Sequence, residues 1–281
     1  MSRGPFRERL AESIADRGAA LCVGLDPDPD QIPKSLGEGI EAVRLHSLAV
    51  VEATSPFAAA YKPNLAFYER FGGRGFEVLA EVVEAAGRHA PVIADAKRGD
   101  IGSTAVAYSE AIYNYLGADA CTVSPYLGAD SLEPFLARED RFAFILCRTS
   151  NRGAQDLQDL SVGAPPHPLY LEVARRAVEW NSRGNLGLVA GATWPTEIAR
   201  IREVAVDLPI LIPGTGAQGA DLGEAVRAAK GNGGSGVYLI NSSRGIGHAS
   251  SGEDFAEAAA QAAAALRTAL QQLSRAGAQT G

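Results

Sequence analysis

Eight short apolar runs recur along the chain at near-regular spacing: Ala19–Asp26, Phe57–Lys62, Pro91–Lys97, Ala118–Pro125, Phe142–Thr149, Leu186–Thr193, Pro209–Gly216 and Gly236–Arg244. Their apolar positions are continuous rather than alternating, the pattern of parallel strands covered on both faces. Each run is followed by a turn signal and then by a stretch with helical periodicity: Glu38–Ala53, Gly75–His89, Gly102–Leu116, Ser131–Arg138, Pro168–Asn181, Pro195–Val206, Asp221–Ala229 and Glu253–Ser274. Pro168 and Pro195 stand at helix starts, where proline is tolerated. Pro5 does the same for an extra helix over Phe6–Asp16, which carries Phe6, Leu10 and Ile14 on one face. Eight strand-then-helix units predict one (β/α)8 TIM barrel with an extra N-terminal helix, because a doubly wound sheet usually stops nearer five or six strands. The whole of 1–281 reads as that single domain, with barrel strands within about 19–244 and a closing Ala-rich helix over about 253–274.

Two stretches lack periodicity. Gly231–Gly236 reads as a helix C-cap and turn before the eighth strand. Ser150–His167 follows the C-terminal end of a strand, and two readings stay open for it: a lid over a site, or a plain surface loop.

Composition narrows the function classes. A 46% hydrophobic, 21% charged chain is that of a soluble globular protein, and a formal net charge of -7 gives no field to attract nucleic acid or an anionic membrane. Cys22, Cys121 and Cys147 each lie inside an apolar run, as buried free thiols do. An odd, unpaired set points to a reducing compartment. The N-terminal stretch MSRGPFRERLAESI has no apolar signal core, and no stretch approaches the roughly 18 apolar residues of a membrane span. The expected location is the cytoplasm, without nucleic-acid or membrane partners.

In such barrels the functional groups sit at the C-terminal ends of the strands. Here those ends are polar: Asp26 after run one, Lys62-Pro-Asn64 after two, Asp95-Ala-Lys97-Arg-Gly-Asp100 after three, Arg148-Thr-Ser150 after five, Pro213-Gly-Thr-Gly216 after seven and Asn241-Ser-Ser-Arg244 after eight. Only four of the 26 basic residues are lysine, and two of those four, Lys62 and Lys97, fall at strand ends. Arginine does not give up its proton in a protein, whereas a lysine ammonium can, and it is compact enough to sit against a reacting atom. A period of two turns Asp95 and Lys97 to one side, with Asp100 just beyond in the loop. Flanking carboxylates favour the charged lysine. The cluster suits a step that needs a held cation and a proton donor.

The stretch Pro213–Gly219, PGTGAQG, satisfies the G-x-G-x-x-G pattern after a strand. It lies on the seventh unit rather than the first, and the chain about twenty residues on reads VYLIN, with no acidic ribose partner, so a dinucleotide is disfavoured. The same glycines can offer backbone N–H groups to one phosphate, with Arg244 as a bidentate clamp. The four His are scattered, and neither metal-ligand spacing, a G-x-S-x-G nucleophile nor a Walker A lysine is present. No metal and no cofactor are expected.

The motifs VGLDPDP, YKPNLAFYE, IADAKRGDIGST, TVSPYLG, RTSN, VAGAT, IPGTGAQG and NSSRGI together resemble the orotidine 5′-phosphate decarboxylases, specifically their longer bacterial subgroup, over about residues 19 to 250. The resemblance implies cofactor-free decarboxylation of orotidine 5′-monophosphate to UMP, the last step of de novo pyrimidine synthesis. By the same resemblance Lys62, Asp95, Lys97 and Asp100 are the charged catalytic network, and Lys97 delivers the proton. Asp26 then binds ribose hydroxyls, Ser150 the pyrimidine edge beside Thr149, and Gln218 with Arg244 the phosphate. Asp100, Ile101 and Thr104 come from the neighbouring subunit of a homodimer. Two alternatives stand beside this. A metal-dependent sugar-phosphate decarboxylase or synthase of the same barrel group needs an acidic ligand where this chain has Lys62. A non-catalytic nucleotide-phosphate binding protein leaves the D-x-K-x-x-D cluster without a purpose.

Overall fold

The computed structural model describes residues 4–214, 221–231 and 236–276. All eight apolar runs form strands: β1 Leu21–Leu25, β2 Ala60–Pro63, β3 Ile93–Arg98, β4 Ala120–Val123, β5 Phe142–Arg148, β6 Leu186–Ala190, β7 Ile210–Pro213 and β8 Tyr238–Ser242. They pair in parallel in the order β2-β1-β8-β7-β6-β5-β4-β3. Bridges Tyr61 to Val92 and Asn64 to Asp95 join β2 to β3 and close the barrel. Every residue of β1, β2, β4, β6 and β8 is buried, as expected of strands with side chains on one face and helices on the other. The predicted helices follow the strands, with ends within three residues of the expected ones.

The extra helix, Phe6–Arg17, plugs the end of the barrel where the strands begin. Phe6 packs 4.9 Å from the ring of Phe142, the first residue of β5, and Arg9 pairs at 2.7 Å with Asp119, just before β4. That end is stabilised and closed, which leaves the opposite mouth for chemistry. Cys22, Cys121 and Cys147 are free and buried, and burial pushes the first two thiols up to about 12 and the third higher still.

The stretch Ser150–His167 is more ordered than its lack of periodicity suggests. It contains a 3-10 turn, Arg152–Ala154, one helical turn, Gln155–Gln158, and a two-residue antiparallel ladder between Ser161–Val162 and His167–Pro168. Its ties to the barrel come from side chains. Arg148, fully buried at the end of β5, carries its guanidinium 4.2 Å from the Trp194 ring and pairs with Asp159 at 3.1 Å. Gln158 accepts from the Thr149 backbone N–H at 2.8 Å.

Candidate active site

The strand ends of β2 and β3 bring three of the expected charged groups into contact. Lys62, buried at the end of β2, donates to Asp95 Oδ2 at 2.7 Å. Lys97 donates to Asp95 Oδ1 at 2.6 Å, with half of its own side chain exposed to the mouth. Burial opposes charge on both members of the inner pair, and the charges on their neighbours override it. Two ammoniums hold the Asp95 carboxyl far below the usual carboxylate range, and the Asp95 and Asp26 carboxylates push the Lys62 ammonium above its ordinary value. The result is a fixed cation–anion–cation array with its outer cation facing the mouth.

The regular two-residue alternation expected to place Lys97 beside Asp95 is not how the chain does it. The β3–β4 register breaks between Ala94 and Arg98, and Lys97 takes φ 47, a left-handed value that no other non-glycine among the described residues adopts. Asp100 stays outside its own chain's array. Its Oδ1 accepts the Ile101 backbone N–H at 2.8 Å, and it makes no ion pair with Lys97 among the described residues. Ile101 and Thr104 are exposed beside it.

Two adjoining pockets open at this mouth and share Lys62, Asp95 and Pro213. The first also has Asp26, Gly214 and 241–245 on its walls. Asp26 follows β1, and its Oδ1 is buried without a hydrogen-bond partner among the described residues, an acceptor in need of a donor. Arg244 opens the helical turn Arg244–Gly247 after β8 and makes no ion pair among the described residues. Gly24 lets that turn approach β1, because a Cβ there would lie 1.9 Å from Ser243 Oγ. Gln218 and most of the Pro213–Gly219 motif lie outside the described residues.

Two histidines fasten this pocket from behind. His248 Nε2 lies 2.9 Å from the Asp26 carbonyl and His46 Nε2 lies 2.9 Å from the Gly247 carbonyl, with the two rings stacked at 5.3 Å. A carbonyl only accepts, so both imidazoles carry their proton on Nε2. Burial lowers His46 from the ordinary 6.5 to about 4. Between those values the unfolded chain takes up a proton that the folded one refuses, so stability falls as pH drops through that window. At pH 5 the loss is about 2 kcal/mol at 1.36 kcal/mol per pKa unit. His46→Gln is expected to flatten the fall in Tm between pH 7 and pH 5; an unchanged slope would remove His46 as its source.

The second pocket is lined by Lys97, Thr122, Thr149–Asn151, Leu157 and Gln158, with Leu146, Val189 and Leu211 as an apolar floor. Thr149 and Ser150 are now distinguishable. The Thr149 hydroxyl bonds to Asn151 and Gln158, whereas that of Ser150 makes no hydrogen bond among the described residues. Gly191 is required by Ser150, since a Cβ at 191 would lie 2.7 Å from the Ser150 Cβ and 2.8 Å from its backbone.

Two lining residues drew no expected role: Thr122 entered only as the first residue of TVSPYLG, and Gln158 not at all. Thr122 lies in the apolar run of β4, where a β-branched threonine is unexceptional. Gln158 lies in the aperiodic stretch and acts through a contact nine residues away.

Residues 19–275 match the orotidine 5′-phosphate decarboxylase / HUMPS family. The orotidine 5′-phosphate decarboxylase of Thermomicrobium roseum is 47% identical over 269 residues, 95% of each chain. That of Roseiflexus castenholzii is 48% identical over 266 residues, 94% of this chain and 97% of its own. The structure of Leishmania donovani OMP decarboxylase superposes with a TM-score of 0.80 at 41% identity, covering 94% of this chain and 99% of that one.

Proposed function

The chain belongs to the orotidine 5′-phosphate decarboxylase / HUMPS family, and from that membership we propose that its barrel mouth converts orotidine 5′-monophosphate to UMP and carbon dioxide. The observation that carries the reading is the Lys62–Asp95–Lys97 array at the junction of two pockets of different character. Among the described residues, one offers a carboxylate oxygen without a hydrogen-bond partner and an arginine without an ion pair for a ribose phosphate. The other offers an apolar floor and the Ser150 hydroxyl, which has no partner among the described residues, for a flat, polar-edged ring.

Breaking the bond from pyrimidine carbon 6 to the carboxylate releases neutral carbon dioxide and leaves the electron pair on carbon 6. No adjacent carbonyl delocalises that pair, so electrostatics must stabilise it. Lys97, at the open end of the array, faces the carbanion and gives it a proton, which water returns. At 4 Å and an effective dielectric of 20 one ammonium supplies about 4 kcal/mol. That is too little alone. The remainder comes from phosphate and ribose binding remote from the reacting carbon, which holds the ring against a preorganised array. Neither alternative gains support: both Asp95 oxygens are already held by ammoniums rather than open to a metal, and a mere binding protein has no use for a proton-bearing Lys97 at the junction.

Asp26 takes the ribose hydroxyls, Gln218 and Arg244 the phosphate, and Ser150 the pyrimidine edge. The enzyme is a cytoplasmic homodimer, with Asp100, Ile101 and Thr104 reaching the partner's site. In support, Asp100 stays out of its own array, and Ile101, Tyr108 and Tyr115, which follow it at seven-residue spacing, are exposed apolar residues. Three free thiols fit a reducing compartment, and no helix among the described residues is long and apolar enough to cross a membrane.

The test is the absorbance change of orotidine 5′-monophosphate on addition of the purified protein. Turnover to UMP is expected, and binding without turnover would favour the non-catalytic reading. Arg244→Ala is expected to raise KM for the phosphorylated substrate by about 10- to 100-fold, the range that follows from roughly 1.5–3 kcal/mol for a hydrogen bond to a charged group. Unphosphorylated orotidine gives that guanidinium nothing to hold. Equal losses of kcat/KM on both compounds would take Arg244 out of the phosphate site.

A further inference from the structure

We infer that Thr122 is a positioning residue for the proton donor: its hydroxyl holds Lys97 in the strained backbone conformation that aims the ammonium along the charged array. The inference rests on the decarboxylase reading above. β3 and β4 pair regularly at Ile93 with Ala120 and Ala94 with Cys121, and again at Arg98 with Val123. Asp95, Ala96 and Lys97 therefore stand opposite a single residue of β4, which is Thr122. A bulge of this kind removes a backbone partner from the longer strand and re-aims its side chains.

Thr122 replaces the missing partner. Its Oγ1 accepts the Lys97 backbone N–H at 3.0 Å and donates to Asp95 Oδ1 at 2.9 Å. Both directions are forced, because an amide N–H only donates and a carboxylate only accepts. The same Asp95 oxygen receives the Lys97 ammonium at 2.6 Å. One hydroxyl therefore ties the backbone of Lys97 to the atom that its side chain grips. Thr122 is 2% exposed, so its bonds are shielded from water. The held conformation is one that a non-glycine residue resists, with Lys97 at φ 47. Without the hydroxyl, the Lys97 N–H loses its partner and the backbone is free to relax toward extended geometry, which carries the ammonium off the array. Threonine suits the post better than serine alone would suggest, since β-branching restricts χ1 and keeps the hydroxyl aimed.

Thr122→Val keeps shape and burial and removes only the hydroxyl; Thr122→Ser keeps the hydroxyl. For Thr122→Val, kcat is expected to fall about 100-fold, the scale of a displacement near 1 Å at a reacting group, while KM for orotidine 5′-monophosphate and Kd for UMP stay within about threefold. Thr122→Ser should recover most of the lost rate. A Thr122→Val kcat within about threefold of wild type, or a Thr122→Ser variant as slow as Thr122→Val, overturns the inference. If Thr122→Val does not fold, Thr122→Ala is judged by the same kcat and KM split. A crystal structure of the valine variant separates this inference from the decarboxylase reading. Lys97 leaving positive φ supports the role of Thr122 even if the wild-type protein proves inert toward the substrate, and Lys97 unmoved, with its ammonium still on Asp95, overturns that role whatever the activity.

Discussion

Lys97→Arg is expected to lower kcat for orotidine 5′-monophosphate by roughly 10³-fold or more, the product of losing a general acid and misplacing a preorganised charge, while UMP still binds. The substitution keeps the positive charge and so separates charge from proton donation. A guanidinium does not release its proton in a protein, and its planar fork is wider than the ammonium it replaces. Lys97 Nζ sits 2.6 Å from Asp95 Oδ1, on an oxygen that also accepts from Thr122. A bulkier group there must either leave Asp95 or push into the second pocket. Stopped assays for kcat beside calorimetric titration with UMP make the comparison. Turnover retained within about tenfold would reject Lys97 as the proton donor. Loss of UMP binding together with turnover would instead mean that the substitution has dismantled the pocket.

The barrel was legible because each strand is an uninterrupted apolar run and each helix carries its own periodicity, both local properties. The strands are shorter than the apolar runs that predict them. Ala19–Asp26 contracts to Leu21–Leu25, since apolar residues also lead into and out of a strand without joining its ladder. The charged array was legible for a chemical reason. In a chain that uses arginine as its default cation, two lysines at strand ends stand out, and Lys62, Asp95 and Lys97 do meet.

What was not legible depends on contacts remote in sequence. Ser150–His167 shows no period because its order comes from Arg148 holding Asp159 and Gln158 holding Thr149. The bulge at Lys97 has no local signature either. Nothing in D-x-K announces a left-handed lysine, and the residue that stabilises it, Thr122, comes from the next strand. The alternation rule therefore named the right neighbours of Asp95 for a reason that the backbone does not follow.

Mixing Lys97→Ala with Asp100→Ala protein is expected to recover about a quarter of wild-type activity from two nearly inactive parents, an idealised figure for independent sites in an isologous dimer. The expectation follows from where Asp100 is not. Three residues beyond Lys97, its carboxylate folds back onto the Ile101 N–H, and among the described residues the Lys97 ammonium bonds to Asp95 alone. If Asp100 completes the partner's array, each single variant spoils both sites of its own homodimer. In a hybrid, the site built on the Lys97→Ala subunit lacks both groups, while the site built on the Asp100→Ala subunit keeps its Lys97 and receives an intact Asp100 from across the interface. One site of two is then wild type. Random re-pairing of equal amounts makes about half of the dimers hybrid, and half of the sites in that half gives the quarter. Native mass spectrometry establishes that subunits have exchanged. If they have and activity stays at the level of the parents, Asp100 acts within its own subunit and the sites are not shared.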